Sequence, residues 1–469
     1  MRHVARWLRC AEADIVRSIG PFPDFFNSVM IVVLVPRSVL LGTVALALGC
    51  HPGAPLAQAR LRADSTMLAR DVRYLASDAL EGRGTGTAGN DSARAFIARR
   101  FATVGLMPIM LATGCTRNCR PQFSQPFVAR SAAAAHAGLN AELPTGNVVA
   151  MIRGRDPALR GQVVVLGAHL DHLGRSTFGV LDPEKPHEIH NGADDNASGV
   201  ATIIELARLL KANPPRRSVA IIAFSGEELG LLGSAWFVEH APFALDSIQA
   251  MLNFDMVGRL RDDKLMVYGT ATATEMAEIV ASANTAPAFK LVAIGDGTGP
   301  SDHASFYLKN MPVLHFFTDL HDDYHRSTDD SDKINTGGMA RVVEYAERIV
   351  RAVGDRPARL TFVRAPVQAS ALGSSSRSGV QVYLGSVPDM GAVNVKGLRL
   401  SGVRPGSPAD LGGLTAGDII LSIAGVAVVD LNSYSDALYS HRPGDEVEIV
   451  AMRGAERVTV KVTLGKRGG

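Results

Sequence analysis

The sequence runs to 469 residues, 46% apolar and 20% charged, which suits two or three soluble globular domains with sizeable cores. A formal net charge of +2 is too small to draw a nucleic acid or an anionic membrane surface, so neither is expected as a partner. Pairs such as Arg99-Arg100 and Arg216-Arg217 read as solvated faces.

Residues 1–59 read as an export leader. Arg37 precedes the apolar run Val39–Leu48, and Ala57-Gln58-Ala59 suits cleavage by a signal peptidase. Pro36-Arg37 separates that run from Val29–Val35, so neither reaches the ~20 apolar residues of a membrane-spanning helix. Met30 is a candidate start, and the LALGC ending makes Cys50 a candidate lipid anchor. The expected location is the periplasm, the extracellular space or the membrane surface. Cys115 and Cys119 are the cysteine pair left in the body, and an oxidising compartment favours a local disulfide over a metal site.

The body then alternates between helical and strand-like patterns. Ala93, Phe96, Ile97, Phe101 and Val104 share one helical face over 91–104, stopped by Gly105. Residues 162–169 read as a buried strand, and 197–213 as a helix ended by Pro214-Pro215. Three more buried strands are expected at 218–225, 247–256 and 312–317. Buried strands between helices predict an α/β domain over 60–354, with a largely parallel mixed sheet flanked by helices. Residues 355–378 have the Pro, Ser, Gly and Arg of a linker. Short β-like runs over 379–465 predict a second, small β-rich domain.

The chemistry gathers in the first domain. His169, Asp195, Glu228, Asp255 and His325 form a mixed nitrogen and oxygen donor set that suits zinc. Three carboxylates and one hydroxide would balance the charge of two Zn²⁺ ions, which points to a two-metal hydrolase. His169, Glu228 and Asp255 each follow the carboxyl end of an expected strand, where open α/β sheets place their crevices. Asp171, two residues past His169, suits the carboxylate that holds a metal-bound imidazole by its other nitrogen, while His172 is expected to face away. Of the aspartates before the 197–213 helix, one suits a cap and the other a metal bridge. Glu227 and Glu228 point in different directions, so one would ligate while its neighbour takes a proton from the attacking water. His187 and His190 are weaker loop candidates, and His315 and His321 read as structural or solvated. The Gly-rich GTGPSDHASF stretch (297–306) lacks P-loop spacing and reads as a pocket wall.

These motifs, in this order and with the approach motif SDALEGRGTGTAGNDSARAFIARRF, resemble the co-catalytic di-zinc aminopeptidases of the bacterial leucyl aminopeptidase type over about residues 65–352. The resemblance implies the zinc-exopeptidase fold and two zinc ions. His169 and Asp255 would hold one, Glu228 and His325 the other, with Asp195 bridging. It implies Glu227 as general base acting with a metal-bridging hydroxide, Tyr324 as the oxyanion partner and Asp171 as the acid that orients the histidine. Peptides with a free amino terminus would be the substrates. The same family contains carboxypeptidases, dipeptidases and single-zinc cyclotransferases, which are the alternatives. Residues 402–428 resemble a PDZ domain, with VYLGSV (382–387) at the loop that receives a peptide's carboxyl terminus. A non-catalytic scaffold working through that PDZ domain is the reading from a different class.

Overall fold

The computed structural model describes residues 61–111, 119–130, 142–175, 188–365, 382–388, 396–403, 406–429 and 441–466, with Val180, Asp182, Lys185 and the pairs 433–434 and 437–438. The leader, Cys50, Cys115 and His187 lie outside the described residues. Cys119 is disulfide-bonded.

A nine-stranded sheet carries the first domain. Its strands are β1 (Met107–Pro108), β2 (Ser124–Arg130), β3 (Glu142–Ile152), β4 (Val163–His169), β5 (Ser218–Phe224), β6 (Ile248–Phe254), β7 (Lys264–Tyr268), β8 (Lys290–Ile294) and β9 (Val313–Phe317). They run in the order β1-β3-β5-β4-β6-β9-β7-β8, with β2 paired to β3. β4 pairs in parallel with β5 and β6, and β6 with β9. β3 and β7 join this parallel centre antiparallel, through β5 and β9 respectively.

The continuous apolar runs of the centre have a simple cause, since both faces are covered. Alternate residues of β4 split between two cores: Val164, Leu166 and Ala168 join one, Val163 and Val165 the other. The first core packs on helices Ser65–Leu75, Ala88–Val104, Gly199–Ala212 and Thr336–Asp355, and the second on helix Leu232–Glu239.

Three expectations change here. Arg100 is buried and its Nε donates to Asp71 at 2.9 Å. Arg217 is buried as well, donating to Gln162 Oε1 at 2.8 Å and to the Ala358 carbonyl at 3.1 Å. Neither is a solvated face, because each guanidinium finds oxygen partners far away in sequence. The stretch read as a linker from 355 instead continues the first domain to Ala365. Val363 N donates to Thr272 at 2.9 Å, Phe362 bridges Ala273, and Leu360 packs on the core.

The second domain is antiparallel. β11 (Ser386–Pro388), β12 (Leu398–Val403), β13 (Ile419–Ile423), β15 (Glu446–Arg453) and β16 (Glu456–Thr463) pair in that order, with β14 (Val426–Ala427) on β13. β10 (Val382–Tyr383) pairs with β17 (Gly465–Lys466). Leu384, Leu400, Ile420, Ile449 and Val462 form its core.

Candidate metal centre

The parallel centre of the sheet brings the site together. His169 closes β4, Asp255 directly follows β6, Glu227 and Glu228 follow β5, and Tyr324-His325 lie in the loop after β9. Asp195 sits in the turn before helix Gly199–Ala212. That turn needs Gly192 at φ 57°, since a Cβ there would stand 2.1 Å from the Asp195 carbonyl oxygen and 2.4 Å from the His172 ring.

All five expected ligands converge. Asp195 Oδ1 lies 3.2 Å from His169 Nε2, and its other oxygen, Oδ2, lies 3.2 Å from His325 Nε2. His169 Nε2 is also 3.4 Å from Asp255 Oδ1, and His325 Nε2 is 3.3 Å from Glu228 Oε2. One carboxylate therefore faces two imidazoles, each of which faces a second carboxylate. Donor atoms of His169, Glu227 and Asp255 fall within 4.8 Å of one another, as do those of His169, Asp195 and Glu228.

The electrostatics follow from this crowding. Burial alone would push both imidazoles toward neutrality, yet the flanking acids hold His169 and His325 well above the usual histidine range. Burial works to raise Glu228, but His325 and His172 bring it down to about 2. Burial, with Glu228, Asp255 and Asp302 nearby, holds Glu227 well above the ordinary carboxylate range. A buried cluster of this kind calls for positive charge between Asp195 and each histidine. The donor set, imidazole nitrogens and carboxylate oxygens, fits zinc.

The surroundings differ from expectation in three places. Asp171 does not offer its carboxylate to His169. Its backbone carbonyl faces His169 Nδ1 at 3.1 Å, while its carboxylate accepts from Thr85 Oγ1 at 2.8 Å and from Glu227 N at 3.2 Å. β4 ends at His169, so the strand's side-chain alternation no longer governs which groups meet. For the same reason His172 turns inward, with Nδ1 2.7 Å from Glu228 Oε1. Neither Asp194 nor Asp195 caps the following helix, because Asn196 Oδ1 accepts from Gly199 N at 2.9 Å. Asp194 instead accepts from Gly258 N at 2.6 Å and faces His321 Nε2 at 3.2 Å.

Tyr324 stacks on His325, with ring centroids 3.8 Å apart. His190 lies 2.7 Å from Asp182 and His315 3.2 Å from Asn253 Nδ2, so both have other partners. The Gly-rich stretch contributes Ser301, whose Oγ donates to Asp255 Oδ2 at 2.8 Å, and the buried Asp302. Asp329 carries no motif in the sequence, yet its Oδ2 accepts from Asp194 N at 2.9 Å and Asp195 N at 3.1 Å.

Residues 147–350 match the model of peptidase family M28, and residues 377–464 that of the PDZ domain. The chain carries an M28 peptidase domain and a PDZ domain. The chain is similar to aminopeptidase YwaD of Bacillus subtilis, 33% identical over 129 residues, 27% of this chain and 28% of that protein. It is 29% identical over 183 residues to leucine aminopeptidase 2 of Trichophyton equinum, 37% of this chain and 34% of that one. The chain thus spans about a quarter to a third of the length of these curated relatives. The fold of the M28 domain is that of a solved Zn-dependent exopeptidase from Parabacteroides distasonis, with TM-score 0.50 and 17% identity over 62% of this chain and 99% of that one. A leucine aminopeptidase precursor from Bacteroides thetaiotaomicron matches with TM-score 0.50 and 16% identity, over 62% and 98%.

Proposed function

We propose that this chain is a zinc aminopeptidase that removes amino-terminal residues from peptides, and that its site takes two zinc ions. One observation carries the reading: the two oxygens of Asp195 face His169 and His325, each 3.2 Å away. His169 and Asp255 would hold one ion, Glu228 and His325 the other, and Asp195 would join them. The ions would lower the pKa of water toward ~7 and polarise the scissile carbonyl.

The chain's own residues do the rest. Glu227, which adjoins Glu228 and lies within 4.8 Å of His169 and Asp255, would take a proton from the attacking water and pass it to the departing amine. The Glu227 main-chain N–H rests on Asp171, which fixes where that carboxylate begins. Burial and the surrounding acids hold the Tyr324 hydroxyl protonated, so it can donate to the oxyanion. The names of the M28 relatives support the aminopeptidase reading over the carboxypeptidase and cyclotransferase alternatives.

The test is release of amino acids from peptides with free amino termini, lost on chelation and restored by zinc. Activity indifferent to chelation, or equal on acetylated peptides, would defeat the reading. For the PDZ domain we propose capture of peptide carboxyl termini along β11, an edge strand of its sheet. The leader read at 1–59 supports export, which fractionation of cells making the full chain would test.

A further inference from the structure

The Gly82–Thr85 part of the approach motif has no share in the chemistry above, yet it lies directly beneath the site. Arg83 is 1% exposed and carries a formal charge at the back of the metal centre. Its Nε donates to the Leu170 carbonyl at 2.8 Å. Its Nη1 donates to the carbonyls of Leu75 at 2.5 Å and Asn191 at 2.6 Å, and its Nη2 to that of Gly192 at 2.9 Å. Leu170 adjoins His169, and Asn191 and Gly192 begin the turn that ends at Asp195. One planar fork therefore spans the backbones of two ligand-bearing segments that are separate in sequence.

The neighbouring contacts extend the brace to a third segment. Thr85 Oγ1 donates to Asp171 Oδ2 at 2.8 Å, and the other Asp171 oxygen accepts from Glu227 N at 3.2 Å. Asn90 Nδ2 donates to Arg83's own carbonyl at 3.2 Å and to Ser225 Oγ at 3.1 Å, two residues before Glu227. Burial lowers the guanidinium to about 10, opposed by Asp171, Asp195, Asp329 and Glu228, so it remains charged at neutral pH. A buried cation serves poorly as a ligand partner for metals, but well as a fixed tie for carbonyls. Lysine could not replace it, because an ammonium on a flexible stem cannot hold four carbonyls in a planar fork.

We propose that Arg83 and Thr85 are positioning residues that set the metal affinity of the site, by holding the segments around His169, Asp195 and Glu227 at ligand spacing before a cation arrives. The inference rests on the zinc reading above. Residues that orient metal ligands typically contribute 10–100-fold in affinity or activity.

The full chain and its Arg83→Lys and Thr85→Val variants would be titrated with zinc against a coloured chelator. Amide exchange across 190–196 would be followed in the same chains after chelation. Arg83→Lys is expected to bind zinc about 10–100-fold more weakly, with unchanged circular dichroism and faster exchange across 190–196. Thr85→Val should weaken zinc binding in the same direction by a smaller factor. A folded Arg83→Lys chain with wild-type zinc affinity and exchange would overturn the proposal. If that variant does not fold, Thr85→Val with wild-type zinc affinity would overturn it equally. A wild-type chain that takes up no zinc would instead sink the zinc reading, while the exchange measurement would still decide the brace.

Discussion

Replacing Glu227 by Gln keeps the side chain's shape and removes its ability to carry a proton. Because Glu227 lies near the ligands without being needed to complete either histidine pair, Glu227→Gln should lose roughly 10²–10⁴-fold in peptide hydrolysis. Its zinc content, measured by elemental analysis, should stay at the wild-type value. Asp195→Ala should behave oppositely, since both of its oxygens face imidazoles. That variant should release its zinc at a chelator concentration the wild type withstands, read as zinc per chain after dialysis. The five candidate ligands, which the structure brings together, were legible because strand-end acids and histidines stand out against apolar runs. Strand alternation places neither His172 nor the Asp171 carboxylate, because β4 ends at His169. Asp329 was invisible, since its contacts join segments about 135 residues apart and no local pattern records them.

At the scale of the element, the parallel centre was the most readable part of the chain. β4, β5, β6 and β9 are buried on both faces, so each is a nearly uninterrupted apolar run. Ile221, fully buried in β5, should cost about 2–5 kcal/mol when replaced by alanine, read from denaturant unfolding of the M28 domain. The outer strands were harder to see. β3 contains Pro144 and Gly146, β7 and β8 open on lysine, and β2 alternates exposed with buried positions at the sheet's margin. Gly105 shows a local rule holding well. It ends helix Ala88–Val104 at φ 79°, and a Cβ there would meet nothing closer than 3.6 Å. Gly105→Ala should therefore cost only the conformational term of roughly 1–2 kcal/mol, without a steric one. A loss well above that in thermal unfolding would point to a packing role that the geometry does not show.

Across the whole molecule, a linker composition hid the last stretch of the first domain. Three arginines and a proline punctuate 356–365, while Leu360 and Phe362 pack that stretch against the cores. The PDZ domain has its own titrating lock. Burial works to raise the Asp418 carboxyl, but Arg453, reaching it at 2.7 Å, and Thr415 hold it below the ordinary value. A folded-state pKa below the unfolded one adds stability above the unfolded value of 3.8, and that stability fades as pH falls through the folded value. Protection of the amides in β15 and β16 of the full chain should fall below about pH 4, and Arg453→Met, which removes the cation that lowers Asp418, should shrink that pH dependence.

We propose that the M28 domain cuts peptides at their amino ends with two zinc ions held around Asp195. Zinc titration of the chelated chain, following amino-acid release from an unblocked peptide, tests it most directly. No release is expected without zinc, with a plateau at two equivalents per chain. Full activity before any zinc is added, or a plateau at one equivalent, would contradict it.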